Sequence, residues 1–378
     1  MPPNILIITL DGARVDVIRR MPTFQRLTGT GSFFPTTITY APYTIASQCA
    51  LFTGIYGNEN GVDNYYGWRL FKNNLCKTVA AYFKEKGYYT KADVFNRNVF
   101  PHQGFDDISL HNENQDDLVA RHTSVIRGLR NKFSKKQKTF LYLHYSKIHA
   151  SLVKNVIKRY DDFSTEYFHR QAENMREYEG YVREADAYLG SILDECSKLG
   201  VLEDTVVVLH SDHGVSVGER VGEKVYGSFC YDYTLKAFLL LLNPDFFPGR
   251  TFSQPIRTID LTPTLLSVAG IQNTNTKFKA IRGRSVLPII EEDEVDQRIA
   301  FSETGGLGGP YPSPRRPNVQ SIRTPNWKLI YNRSTKSREL YNLERDPAEA
   351  NNKSGQGEEI EPVLWRVLQR ENFLRQSG

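Results

Sequence analysis

The chain has 378 residues, of which 40% are hydrophobic and 24% charged, and its net charge is +5. That length holds one large α/β domain, or a large domain with a smaller one attached, and the composition is that of a soluble globular protein. The positive charge is spread along the chain. Its densest run, Arg127 to Lys138, has no aromatic interleaving beyond Phe133, so a solvated helix or loop face is expected there and no nucleic-acid partner. A mild positive bias still favours a small anionic substrate through long-range steering.

The elements follow in chain order. Asn4 to Leu10 is an unbroken apolar run, which predicts a strand buried on both faces. It has no basic segment before it and runs straight into Asp11, so it is not a signal peptide. No apolar stretch approaches the ~20 residues of a membrane span. Lys77 to Lys86 has helical spacing and stops at Gly87. Thr139 to His144 is a second buried strand. Glu173 to Leu199 is a long amphipathic helix, with Tyr178, Val182, Ala185, Leu189 and Ile192 on one face. Thr205 to His210 and Ala237 to Leu242 are further strands. This alternation predicts a mostly parallel central sheet sandwiched by helices. The character changes near Gly283. Arg298 to Glu303, Ser321 to Thr324, Trp327 to Asn332 and Glu339 to Leu343 are short strand-like pieces, which predict a small C-terminal antiparallel sheet. A main domain over 1–282 and a C-terminal α+β subdomain over 283–378 are therefore expected. Thr304 to Pro317 reads as a mobile loop, and Ile360 to Leu374 as a helix. Four cysteines, Cys49, Cys76, Cys196 and Cys230, form no CxxC pair; reduced, mostly buried thiols and a cytoplasmic location are expected. The oligomeric state is left open.

In open parallel sheets ligands bind beyond the carboxyl ends of the strands. Asp11 follows the first strand, and Ser211-Asp212-His213-Gly214 follows the third. Two carboxylates and an imidazole from separate strands can assemble a site for one divalent ion: zinc, manganese, magnesium or calcium. Thr44, in a loop leading into an apolar helix, is by itself an adequate N-cap. Close to a metal, its hydroxyl could ionise and become a nucleophile. Cys49 and His144 read as core residues, Asp16 as a helix-start residue, and Asp260 as a cap or packing carboxylate.

NILIITLDGARVD, APYTIASQCALFTGIYGNENGV, FLYLHYSKIHA, VVVLHSDHG, RTIDLTPTLLSVAGI, WKLIYN and ELYNLERDPAE, in this order, resemble the sulfatase branch of the alkaline phosphatase superfamily almost end to end. The resemblance implies an alkaline phosphatase-like fold and an enzyme with one divalent metal. It implies Asp11, Asp212 and His213 as metal ligands, with Thr44 as a further ligand and the nucleophile. It implies Lys224 and His149 as groups acting on the ester or leaving oxygen, and Asn64 as a substrate contact. The departures matter. Sulfatases carry Cys or Ser in a C/S-x-P-x-R signature that is oxidised to formylglycine. Here the stretch is Thr44-Ile45-Ala46-Ser47-Gln48, without the proline and arginine, and Gly12 replaces the second aspartate of the family's pair. Thr44 resembles the nucleophile of phosphonate monoester hydrolases and phosphoethanolamine-type transferases. The expectation is therefore a hydrolase or transferase of phosphate esters, a phosphodiester or phosphonate monoester, through a phosphothreonine. The alternatives are a sulfatase-like sulfuric ester hydrolase and a catalytically silent binder of an anion or a partner. No second Asp/His/His group like that of the two-zinc phosphatases is seen, with His102 and His210 unplaced.

Overall fold

The computed structural model describes residues 2–134, 137–160, 164–272, 277–293, 295–305 and 318–376. The main sheet contains β1 (Asn4–Leu10), β2 (Ser32–Ile38), β3 (Tyr89–Val94), β4 (Asp107–Leu110), β5 (Thr139–Tyr145), β6 (Thr205–His210), β7 (Lys236–Leu242) and the two-residue strands β8 (Arg250–Thr251) and β9 (Ile256–Arg257). They lie in the order β4-β3-β5-β1-β6-β7-β2-β8, with β9 also paired to β2. Every pairing is parallel except those of β7, which runs antiparallel to β6 and β2. The predicted sheet is thus present, with one reversed strand.

β1 sits at the centre because all seven of its residues are buried and it has an apolar strand on each side: Ile7 is level with Tyr142 of β5 and Val208 of β6. Alternate residues serve opposite faces. Leu6 and Ile8 join one core with Val182, Ala185, Leu189 and Ile192, while Ile5 and Ile7 join another with Leu51, Phe52, Phe83 and Leu265. The helices that cover these faces and bear on the site are α1 (Thr44–Thr53), α2 (Val79–Glu85), α3 (Leu118–Ser134), α4 (Lys147–Asn155), α5 (Gln171–Lys198), α6 (Leu261–Val268) and α7 (Leu287–Glu292). α2 begins at Thr78, whose hydroxyl accepts from the Ala81 N–H at 3.1 Å, and Gly87 follows it at a φ of +82°. Asp260 is a packing carboxylate held by Arg257 and Arg298. Asp16 lies in the short helix Val15–Ile18 and pairs with Arg14.

β2 has no clean sequence signal because Pro35 lies inside it. Proline cannot donate to the ladder, and the β2–β7 register shifts between Phe34 and Thr37. The second sheet has the order β10 (Ala300–Thr304), β11 (Val319–Arg323), β12 (Trp327–Asn332), β13 (Ser337–Asn342), all antiparallel. Leu364 and Leu368 of α8 (Ile360–Gln376) pack on its Ile322, Leu329 and Leu340, and the same cluster takes in Tyr43 and Ala46 at the start of α1. α7 packs with the main sheet's core through Val286, Ile289 and Ile290. Most of the expected loop, from 306 to 317, lies outside the described residues. All four cysteines are free and buried. No helix among the described residues is long and apolar enough to cross a membrane.

Candidate metal and active site

The chemistry-bearing residues collect at one edge, where the parallel strands end. β1 delivers Asp11, β6 delivers Asp212 and His213, and β2 leads through Tyr43 to Thr44, the first residue of α1. Thr44 is therefore not the N-cap expected of it; Tyr43 holds that position, and the Thr44 hydroxyl is turned toward the strand ends. Its Oγ1 lies 3.4 and 3.5 Å from the two Asp11 carboxylate oxygens and 3.3 Å from His213 Nε2. His213 Nε2 is 3.5 Å from Asp11 Oδ1 and 3.6 Å from Asp212 Oδ2. These separations are long for charge-assisted hydrogen bonds. They match ligand atoms sharing one centre, which stand roughly 3.4 Å apart when each is ~2.1 Å from a tetrahedral ion.

The surroundings set each donor. His213 Nδ1 donates to the Gly214 carbonyl at 2.8 Å, so its Nε2 lone pair points into the cluster. Asp212 Oδ1 accepts the backbone N–H groups of Gly12 (3.2 Å) and His213 (3.0 Å). Asp212 Oδ2 is buried with no hydrogen-bond partner among the described residues. Burial and then the Asp11 charge push the Asp212 carboxyl above the usual carboxylate range. Burial acts the same way on Asp11, but a hydrogen bond from His144 and the nearby imidazoles of His149, His144 and His213 outweigh it and hold Asp11 at about 2. Two buried carboxylates, an imidazole lone pair and a hydroxyl around one point, with an orphaned oxygen among them, fit a divalent cation. An aspartate at Gly12, where the family has its second one, would be strained here. Its φ is +73°, and a Cβ would stand 3.0 Å from Val215 Cγ1.

The other expected residues fall differently. His149, on α4, stacks obliquely on Tyr226 with ring centroids 5.0 Å apart, and both its ring nitrogens are buried without a hydrogen-bond partner among the described residues. Burial lowers its pKa against the pull of Asp11, so the ring is neutral at pH 7. Tyr226 also meets His213, again at 5.0 Å. Lys224 is half-buried, next to Val225, which bridges back to Ser216. Asn64 is committed to its own turn: its amide donates to Asp63 Oδ1 (3.0 Å) and its oxygen accepts from the Tyr66 N–H (3.1 Å).

His144 is buried and hydrogen-bonded, as a core histidine should be, but its partner makes it part of the site. Nε2 donates to Asp11 Oδ2 at 3.1 Å, and Nδ1 is 3.0 Å from the Tyr142 hydroxyl. The signal was its register: His144 lies level with Thr9, two residues before Asp11. His210 pairs with Thr9 (2.8 Å) and the Ser211 carbonyl, away from the cluster, and exposed His102 meets the Arg97 carbonyl.

Sequence reading missed one cluster. A second Asp/His/His group exists at the same edge, formed by Asp93, His111 and His122. Asp93 Oδ1 accepts from His111 Nδ1 (2.7 Å) and His122 Nε2 (3.3 Å), and the Arg121 Nε–H lies 3.0 Å from both Asp93 oxygens. The remaining nitrogens accept from Ser146 (3.3 Å) and Tyr188 (2.6 Å) hydroxyls.

A mostly parallel sheet with one reversed strand, and a carboxylate-rich cluster beyond its strand ends, define an alkaline phosphatase-like α/β fold with a candidate metal site. Two structures share this fold over nearly the whole chain. One is a protein solved in complex with its substrate D-glucosamine-2-N,6-O-disulfate (TM-score 0.78, 18% identity, 100% of this chain and 99% of that chain). The other is a phosphonate monoester hydrolase from Silicibacter pomeroyi (TM-score 0.74, 16% identity, 99% and 95%). Residues 3–271 match the Sulfatase family, and residues 226–372 match the family described as N-sulphoglucosamine sulphohydrolase, C-terminal. The chain belongs to the sulfatase family. It is 27% identical to arylsulfatase K of Xenopus laevis over 184 residues, which are 47% of this chain and 33% of that protein, so the match spans about a third of the relative's length.

Proposed function

We propose that the chain is a metal-dependent hydrolase of small sulfuric esters, with Thr44 as its nucleophile. Family membership favours sulfate over the phosphate ester expected from Thr44 alone. The observation that carries the proposal is the Thr44 hydroxyl, held within 3.5 Å of Asp11 and His213 at the mouth of the ligand cluster. Asp11, Asp212 and His213 would hold a divalent ion, which would lower the hydroxyl pKa and offset charge on the ester oxygens. Thr44 Oγ1 gives up its proton to solvent and forms a bond to sulfur as the bond from sulfur to the alcohol oxygen breaks, and that oxygen takes up a proton and leaves as the alcohol. Neutral His149 gives a hydrogen bond to the departing oxygen, and Lys224 offers a second donor. Water then attacks the sulfothreonine, releasing hydrogen sulfate and restoring the hydroxyl. The formylglycine route is closed to this residue, because oxidising a secondary alcohol yields a ketone and not an aldehyde.

Thr44 also favours a second reading, attack on phosphorus through a phosphothreonine, in a phosphodiester or phosphonate monoester. A panel of 4-nitrophenyl sulfate, phosphate, phosphodiester and phosphonate, with zinc, manganese, magnesium or calcium restored, separates the two. The sulfate ester should show the highest kcat/KM, and Thr44→Ala should lower it by at least about a hundredfold. Phosphoryl turnover above sulfate turnover sinks the first reading in favour of the second. Protein without stoichiometric metal, whose activities ignore Thr44→Ala, would be the silent binder.

A further inference from the structure

We infer that the cavity beside the start of β7 is a second binding site, in which Lys236 and Arg220 receive the oxyanion of a small phosphorylated or carboxylated molecule. The cavity measures about 630 Å³, within the roughly 300–1,000 Å³ usual for small-molecule sites. Its walls come from the turn into the helix Val15–Ile18, the loop after β6, the start of β7, the end of β11 and the loop after β13. None of Asp11, Thr44, Asp212 and His213 lines it, so the inference does not depend on which ester the metal cluster takes. The two sites are nevertheless neighbours. The Gly214 N–H, just past the ligand His213, donates to the Thr234 carbonyl at 2.8 Å, and Arg14 of the cavity wall donates to the Val215 carbonyl at 3.1 Å.

The charges that line the cavity divide into those already matched and those left over. Asp232 lies 2.8 Å from Lys328 Nζ and 3.2 Å from Arg323 Nη2. Glu349 is 2.9 Å from the same Lys328 ammonium and accepts the Asp232 N–H at 2.6 Å. Glu219 pairs with Arg14 and accepts the Val217 N–H at 2.7 Å. Asp16 also pairs with Arg14, at 2.8 Å, and its side chain is 49% exposed, so water screens what Arg14 does not match. Two cations remain without a carboxylate of their own. Arg220 stands over the Tyr231 ring, 4.4 Å from its centroid, and donates to the Glu349 carbonyl. Lys236 is half-buried, and its ammonium makes no hydrogen bond or ion pair with a described residue. Burial lowers the Lys236 pKa against the pull of Asp232. An ammonium withdrawn from water without a partner is unfavourable, and a ligand that brings the opposite charge offsets this. A lysine point charge and an arginine fork are the groups that take phosphate and carboxylate oxygens. A neutral ligand would leave both cations unmatched.

The test is calorimetric titration with inorganic phosphate and with succinate, on the metal-loaded full chain and on Asp212→Asn. Asp212→Asn removes anion binding at the metal cluster, so the binding it keeps belongs to the cavity. At least one probe should bind both proteins with a Kd below about 10 mM. Tighter phosphate points to a phosphorylated ligand and tighter succinate to a carboxylated one. Lys236→Met and Arg220→Gln should each weaken that binding by about tenfold. Lys236→Arg keeps the charge and should restore it to within about threefold. Thermal melting checks folding, and Lys236→Met should melt no lower than the wild type, because it removes an unpaired charge and keeps the apolar stem. Three results overturn the inference: neither probe binds, all binding disappears in Asp212→Asn, or binding ignores both Lys236→Met and Arg220→Gln.

Discussion

Two Asp/His groups stand at the same edge of this sheet, built from nearly the same residue types, and only one keeps an unpartnered carboxylate oxygen among the described residues. Around Asp93 every ring nitrogen has a partner, and Arg121 supplies the one positive charge that the carboxylate needs. Burial would raise the Asp93 carboxyl, but hydrogen bonds from His111, His122 and Arg121 hold it well below the usual range, while burial lowers His122. The group sums to neutrality and is complete. Around Asp11 the two carboxylates face each other, Asp212 Oδ2 has no partner among the described residues, and the His213 lone pair points inward. Ligand types alone do not define a metal site. Unspent donor atoms and uncompensated charge do.

The sharpest way to break this contrast is Asp212→Asn. The amide oxygen can keep both backbone N–H bonds while the charge disappears. Metal content after dialysis should fall from one ion per chain toward none, and turnover by about a thousandfold or more. The metal-free protein should melt no lower than the metal-free wild type, because a repulsion between buried carboxylates is gone. A lower metal-free melting point would mean that the cluster is structural. Asp93→Asn should do the reverse. It leaves Arg121 and two imidazoles facing a neutral amide and should cost about 3 kcal/mol in denaturant unfolding, with metal content unchanged. Loss of bound metal in this variant would mean that the second group is also a metal site.

The contrast also explains what sequence reading could reach. The unbroken apolar runs of β1, β5 and β6 mark central strands, and the residues just past β1 and β6 are Asp11, Asp212 and His213, so strand ends together with the family resemblance point to these three as candidate metal ligands. Asp93, His111 and His122 come from a strand end, a loop and a helix, and no spacing in the chain announces that they meet. β2 is hidden by Pro35. The choice between sulfate and phosphate was weighted by one residue, Thr44. A hydroxyl nucleophile constrains how the intermediate breaks down, but either tetrahedral anion can meet it, and the family comparison shifts the balance toward sulfate.

Between the closed and open groups lies Glu223, a buried carboxylate half satisfied. Its Oε1 accepts the N–H groups of Ser228 (2.9 Å) and Phe229 (2.8 Å), while Oε2 has no partner within hydrogen-bond geometry among the described residues. Burial raises its pKa to about 7. The folded chain keeps this proton up to about pH 7, whereas the unfolded chain loses it near 4.5. Stability therefore falls as pH rises through that window and stays lower above it. Glu223→Gln keeps the accepting oxygen and removes the charge. It should be more stable than the wild type by about 2 kcal/mol at pH 8 and by close to nothing at pH 4.5, read from denaturant midpoints at the two pH values. An equal gain at both would show that the proton is not the cause.

The smallest effect is the most specific to the open cluster. His144 donates to Asp11 Oδ2 and is the first of the imidazoles that hold the Asp11 carboxyl at about 2 against the opposing effect of burial. His144→Asn places a shorter side chain there that does not reach. Asp11 then rises toward its ordinary value, and protons compete with the metal at a higher pH. Metal affinity at pH 7 should drop by about tenfold, as is common when a ligand loses the group that orients it. The pH at which half the metal is released should move up by about one unit. A titration of metal content from pH 7 down to pH 4 reads both. A drop in affinity with no shift in that pH would mean that His144 only orients Asp11; a shift in both means that it also sets the charge on which the open cluster depends.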